Sequence, residues 1–216
     1  WVIGASVVLY VIATHLEWLY QRHPDARLAD ACRWRLHPRP LFLALYQLIR
    51  FAYYIGLPYL TIRHGLTPAR MMGIGVWGTL DNTSIAIGLA GVAFLLLCLA
   101  WHGFSRALRT SFSPSPSTTV WDSQQDWVSA TIDTVYQQVH WAFYRSGPIL
   151  WLGGDYYTGS FLGLLLVTLE WIGNPRIRYG LLDPLGSAFI LTRWAHALWL
   201  TVAFFFARNL WLLLVL

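Results

Sequence analysis

Charged side chains are scarce in this chain of 216 residues. Only 12% of the residues are charged, whereas 56% are hydrophobic, and a soluble domain carries about 25% charged residues. The sequence has no Lys at all, and Glu occurs only as Glu17 and Glu170. The mean hydropathy of +0.48 agrees with this composition. These shortages argue against a soluble domain and predict a polytopic membrane protein.

Cysteine is almost as rare, since only Cys32 and Cys98 occur. Neither belongs to a CxxC motif or a Cys/His pair, which argues against a disulfide framework or a Cys-based zinc site. The net charge of +5 comes from Arg residues that fall mainly in short loops. No basic run is interleaved with exposed aromatics, as a nucleic-acid-binding surface would require. We therefore expect no nucleic-acid partner.

What the chain does contain is a series of apolar stretches near the ~20 residues that cross a bilayer. The predicted spans are residues 1–20, 41–62, 84–104, 127–151, 158–173 and 186–206, and residues 209–216 begin a seventh. The mixed connection 63–83 is expected at the membrane interface. Since the chain begins at Trp1 and ends inside an apolar run, we expect it to be part of a longer product. The prediction is an all-α, polytopic transmembrane helical bundle of six to seven helices, forming a single domain over residues 1–216.

The distribution of Arg predicts an orientation, because cytoplasmic loops carry an excess of basic residues. Most loop arginines lie in 21–40, 105–126 and 174–185, which we place on the cytoplasmic side. The opposite side holds Arg63, Arg70 and Arg208. The expected location is the inner membrane of a bacterium, with residue 1 outside.

The fourth span is unusually polar. Asp133, His140 and Tyr144 share one helical face with Gln137, because residues three or four apart lie above one another. Arg145 lies on the adjacent stripe. A charge at bilayer depth is costly and usually faces the protein interior. We expect Arg145 to be buried and held by Glu170, by Asp133 of a neighbouring turn, or by backbone carbonyls.

Other polar residues lie within or near the spans: His15, Glu17, Arg50, His102, Glu170, Arg193 and His196. Three interpretations stay open. They form internal ion pairs and hydrogen bonds that hold the helices together, or they line a catalytic or ligand-binding cavity, or they ligate a cofactor. Intramembrane ionisable residues are candidates for function by default.

The segment "HWAFYRSG", residues 140–147, resembles a motif of the CAAX-protease and bacteriocin-processing (CPBP) family of intramembrane metalloproteases. In that family a helix carries Glu-Glu-x-x-x-Arg. Arg145 stands at the arginine, and His140 and Trp141 stand at the two glutamates. The resemblance covers about residues 128–216.

Two later family motifs, Phe-x-x-x-His and His-x-x-x-Asn/Asp, are similar to "TRWAHALW" in the sixth span. His196 takes the histidine position of both. Thr192 replaces the Phe, and Leu200 stands where Asn or Asp belongs. The resemblance implies an intramembrane metalloprotease whose candidate catalytic residues are His140, Arg145, Glu170 and His196.

The missing glutamates change the expected function, because a glutamate is the base that activates water in metal-assisted hydrolysis. We expect a non-catalytic accessory or assembly subunit of a larger membrane complex, of respiratory or photosynthetic type. Its partners would be other membrane subunits and lipids, and no metal ligand set is assigned. The first alternative is a CPBP-like intramembrane protease. The second is a haem- or chlorophyll-binding protein, whose candidate ligands are His15, His102, His140 and His196; otherwise lipids or pigments would bind only at the surface.

Overall fold

The computed structural model describes residues 1–22, 40–75, 80–111 and 127–215, and these ranges contain helices and no strand. The helices are α1 (Val2–Arg22), α2 (Pro40–Phe51), α3 (Leu57–Arg63), α4 (Leu80–Ser111), α5 (Trp127–Trp151), α6 (Tyr156–Gly173), α7 (Pro175–Gly180), α8 (Pro184–Ala207) and α9 (Leu210–Val215). The all-α prediction is confirmed for the described residues. Most of the predicted loops 21–40 and 105–126, with Cys32, lies outside them.

Three helices are long and apolar enough to cross a membrane within the described ranges, and their apolar segments are Val2–Leu19, Thr83–Ala107 and Gly186–Ala207. They coincide with the first, third and sixth predicted spans. The chain therefore has the character of a membrane protein. The larger count of six to seven spans is not confirmed.

A π-helical turn joins α2 to α3. Ala52–Gly56 form this turn, and the Leu57 N–H donates to the carbonyl of Ala52. Pro58 follows immediately and is buried. A proline in a helix lacks an N–H and its ring clashes with the preceding turn, and a wider turn makes room for it. The predicted span 41–62 is therefore one continuous helical segment.

The connection after α3 packs against the helix bundle in its described part, and its predicted interfacial position stays a prediction. A 3₁₀ turn over Ala69–Met72 buries both methionines in the hydrophobic core. The Leu210 N–H then donates to the Gly73 carbonyl at 3.0 Å. Gly73 has a φ of 81°, and a Cβ there would lie 2.9 Å from the Leu210 nitrogen. Glycine thus lets the start of α9 dock on this segment.

Helix α5 is the centre of the fold, and its most extensive contact is with α6. Two glycines of α6 allow this contact. A Cβ at Gly159 would lie 2.6 Å from the Cα of Ile149, and one at Gly163 would lie 2.5 Å from the Cα of Arg145. Small residues at helix interfaces let backbones approach closely. The face of α5 that bears Arg145 is thereby sealed against α6.

Candidate functional site

An ion pair joins α2 to α5. The Arg50 Nη2 lies 2.5 Å from the Asp133 Oδ1, and both side chains are partly exposed. The Arg50 Cζ also lies 5.4 to 6.0 Å from the ring centroids of Tyr46, Tyr54 and Tyr136. Aromatic faces attract a guanidinium at such distances. The charge of Arg50 is therefore compensated by one carboxylate and three rings.

A second polar pair lies deeper and joins α5 to α6. The His140 Nε2 is 3.2 Å from the Glu170 Oε2, and these residues are only 2% and 3% exposed. This hydrogen bond needs a proton on Nε2 or on the carboxyl group. The Nδ1 of His140 is buried without a hydrogen-bond partner. The pair therefore leaves one imidazole nitrogen uncommitted.

Aromatic rings surround this imidazole. Its centroid lies 4.2 Å from that of Tyr144 and 5.1 Å from those of Tyr53 and Tyr54, with Phe143 at 6.4 Å. Tyr53 and Tyr54 come from the π turn, so the two consecutive rings pack against one side chain. The rings exclude water from the His140–Glu170 hydrogen bond, which strengthens it.

Hydroxyl groups extend this arrangement to α1. The Tyr144 hydroxyl donates to the Ser6 Oγ at 3.2 Å. The Ser6 hydroxyl donates to the Tyr53 Oη at 2.9 Å, and the Tyr53 hydroxyl donates to the Ser6 carbonyl at 3.1 Å. Each hydroxyl proton thus has an acceptor. We call the connected set the polar cluster: Ser6, Arg50, Tyr53, Tyr54, Asp133, His140, Tyr144 and Glu170.

A groove of about 510 Å³ between α1 and α2 reaches the polar cluster. Its lining is otherwise mostly apolar: Leu9, Tyr10, Ala13, Ile49, Arg50, Ala52, Tyr53, Tyr54 and Leu57. Arg50, Tyr53 and Tyr54 belong to both the groove and the cluster. Ligand sites commonly combine an apolar lining with a few polar groups, so this groove is a candidate ligand site.

Arg145 is buried as predicted, with 3% of its surface exposed. Its predicted side-chain partners are wrong, because Glu170 bonds His140 and Asp133 bonds Arg50. The Arg145 Cζ instead lies 4.0 Å from the centroid of the Phe204 ring of α8. Within the described part of the chain, its Nε and Nη2 have no hydrogen-bond partner. Arg145 lies on α5 beside the helical face that carries Asp133 and His140. Its side chain therefore points away from the two pairs that these residues form.

The structure does not assemble the four candidate catalytic residues into one centre. His196 lines a different cavity of about 190 Å³ between α4 and α8, together with Phe94 and Trp199. Among the described residues, no group of three or more His, Cys, Asp or Glu side chains is arranged to hold a metal ion. A metal site built from His140, Glu170 and His196 together therefore finds no support in this geometry.

The remaining candidate histidines are His15 on α1 and His102 on α4. The Nδ1 of His15 is 2.8 Å from the Val11 carbonyl, and its Nε2 is 3.5 Å from a guanidinium nitrogen of Arg178. His102 is exposed on α4. The ring nitrogens of His15 are therefore engaged locally.

Sequence reasoning missed the residues that complete the polar cluster. The adjacent pair Tyr53 and Tyr54, one turn after Arg50, was an available signal, because two phenols in an apolar span need hydrogen-bond partners. Ser6 gave no signal, since a lone serine is unremarkable in an apolar helix.

We expect Arg50 and Asp133 to be energetically coupled. In a double-mutant cycle with Arg50→Met and Asp133→Leu, the coupling free energy should be about 1–2 kcal/mol, as is usual for residues in direct contact. Unfolding in detergent would measure it. Strictly additive effects of the two substitutions would show that the pair adds nothing to stability.

In comparisons with known proteins, the chain matches no protein-family model, no curated protein and no solved structure. The resemblance to the CPBP family therefore rests on Arg145, His196 and the apolar texture of residues 128–216 alone, and it stays a prediction.

Proposed function

We propose that this chain is a non-catalytic subunit of a larger membrane assembly, in the inner membrane of a bacterium. The support comes from the way α4 packs. Ala86 and Ala93 of α4 are buried, and the Trp199 Nε1 of α8 donates to the Leu89 carbonyl at 3.1 Å. Only 11% of the apolar segment Thr83–Ala107 is buried. Helix α4 is thus held mainly along one face.

The opposite face of α4 carries the observation on which the proposal rests. Gly88 and Gly91 lie there, and a Cβ at either position would meet no atom within 4 Å. Lipid tails pack against bulky apolar side chains as well as against small ones, whereas small residues let a second helix approach. A glycine face that the described part of the chain leaves open favours a partner helix over lipid. The respiratory or photosynthetic type of the assembly stays a prediction.

Gly88→Leu combined with Gly91→Leu should release the protein from its assembly. Each new side chain points into open space within the chain, so the fold should persist while the close approach of a partner is blocked. Native electrophoresis of mild-detergent extracts should show the unsubstituted protein in a band far heavier than 24.7 kDa and the variant in a light band.

Gly4→Leu is the matched control, because a Cβ at this α1 position also meets nothing within 4 Å. It should leave the heavy band intact. Mass spectrometry of that band should find other membrane proteins. A band that contains only copies of this chain, or one that survives the double substitution, would contradict the proposal.

The alternative function, an intramembrane hydrolase, is favoured by one feature of the polar cluster. Glu170 holds one nitrogen of His140 and leaves Nδ1 without a partner, and a histidine oriented by a carboxylate can accept a proton through its other nitrogen. The adjacent groove would admit a hydrophobic substrate. Hydrolysis of membrane-anchored peptides that is abolished by His140→Ala would favour this function over the subunit proposal.

A further inference from the structure

Among the described residues, Arg145 is a buried cation that no carboxylate pairs with, since the ion pairs join other residues. His140 bonds Glu170 and Arg50 bonds Asp133. The Phe204 ring covers one face of the Arg145 guanidinium. A ring offsets part of a positive charge, but it accepts none of the N–H bonds at the guanidinium edge. The edge therefore still requires an acceptor.

A small cavity at the junction of α5, α6 and α8 lies against Arg145. It is lined by Trp141, Arg145, Ser160, Gly163, Leu164, Val167, Ala197 and Thr201. The Ser160 hydroxyl is 1% exposed and, like Nε and Nη2 of Arg145, has no partner. The Thr201 hydroxyl already donates to the Ala197 carbonyl at 2.8 Å. The lining thus supplies buried donors and a positive charge in otherwise apolar surroundings.

The sequence of α6 builds this cavity. Ser160 and Gly163 are three residues apart and so share a helical face. Because Gly163 has no side chain, the backbone of α6 approaches the Arg145 Cα so closely that a Cβ there would lie 2.5 Å away. The same approach brings the Ser160 hydroxyl to the cavity. The site therefore depends on the Ser160-x-x-Gly163 spacing.

We propose that this cavity binds a single monovalent anion the size of chloride. Its volume of about 10 Å³ is at the lower limit of the roughly 10–15 Å³ that one water-sized occupant needs, so the site admits one monatomic ion only if its lining relaxes around it. Phosphate, sulfate and carboxylates are larger than this space. A water molecule would satisfy donors but leave the buried positive charge uncompensated, and a buried charge is stable only when it is paired.

The test is the thermal stability of the purified protein in sodium chloride and in sodium gluconate at equal ionic strength. A ligand that binds only the folded state raises the unfolding temperature with its concentration. Chloride should raise the unfolding temperature along a one-site saturation curve, whereas gluconate should not. Sulfate should raise it only gradually, as a kosmotropic salt does without binding. The same response to chloride as to gluconate would overturn the proposal and leave water as the occupant.

Two variants locate the effect. Arg145→Gln should abolish the chloride dependence, and Ser160→Ala should weaken the apparent chloride affinity about tenfold or more, since it removes one charge-assisted hydrogen bond. If Arg145→Gln does not fold, Ser160→Ala decides. Arg193→Gln is the matched control, because Arg193 lies over the Trp171 ring, with 5.0 Å from its Cζ to the ring centroid, and is not part of the lining. A chloride dependence unchanged in Ser160→Ala, or lost equally in Arg193→Gln, would overturn the assignment.

Discussion

Gly163→Val should leave little or no folded protein. The new Cβ would lie 2.5 Å from the Cα and 2.9 Å from the nitrogen of Arg145, and these are backbone atoms that no rotamer change can move. Relief requires α6 to separate from α5, which opens the most extensive helix contact of the described fold. We expect a loss of stability of at least about 3 kcal/mol, the upper part of the range for overpacked cores. Fluorescence-detected size-exclusion chromatography of detergent extracts would measure the folded yield.

Gly4→Val is the control for this experiment, because a Cβ at Gly4 would meet no atom within 4 Å. The control carries the same β-branched residue in another apolar helix, so it isolates the steric effect from helix propensity. It should elute at the position of the unsubstituted protein. A symmetrical folded peak for Gly163→Val, with an unchanged unfolding temperature, would mean that α5 and α6 do not pack as described.

Glu170→Ala should have the second-largest effect. It leaves the Nε2 of His140 buried without a partner and creates a cavity beside it. The loss of a buried hydrogen bond and the cavity together should reduce the free energy of unfolding by about 2–4 kcal/mol. Glu170→Gln should recover much of this loss, since its amide oxygen can still accept a hydrogen bond from the Nε2–H of His140. Chemical unfolding in detergent micelles would compare the three proteins.

The chain provides a matched control in its other glutamate. Glu17 pairs with Arg176 at 2.7 Å, but both side chains are largely exposed, at 51% and 44%. Exposed ion pairs contribute about 0–1 kcal/mol, so Glu17→Ala should change stability little. Equal effects of Glu17→Ala and Glu170→Ala would show that the buried His140–Glu170 pair contributes no more to stability than the exposed Glu17–Arg176 pair.

The helices were predicted well from the sequence wherever they contain an apolar run long enough to cross a bilayer. The burial of Arg145 followed from the same physics, because a charge inside an apolar span is directed toward the interior. Its partner did not follow. Helical periodicity fixes the face on which a side chain lies, but it does not say which helix packs against that face. Glu170 was therefore only one of three possible partners predicted for Arg145, whereas packing brings it to His140.

Long-range hydrogen bonds were beyond prediction for a related reason. Ser6 and Tyr144 are far apart in the chain, and neither residue has a sequence feature that predicts their hydrogen bond. The packing of the segment after α3 against the core was also not predicted, because its mixture of glycine, arginine and methionine is typical of an interfacial connection. The two adjacent methionines that anchor it in the core are the only local indication that it returns to the bundle.

The π turn of Ala52–Gly56 acts on α2 and α3 as a one-residue insertion would act on a regular helix. An extra residue in one turn changes the angular register of everything that follows by roughly 100°, the rotation per residue of an α-helix. Arg50 before the turn and Pro58 after it thus face directions that a single helical wheel cannot represent together. Because of this offset, the surface that α2 presents to α5 does not determine the surface that α3 presents.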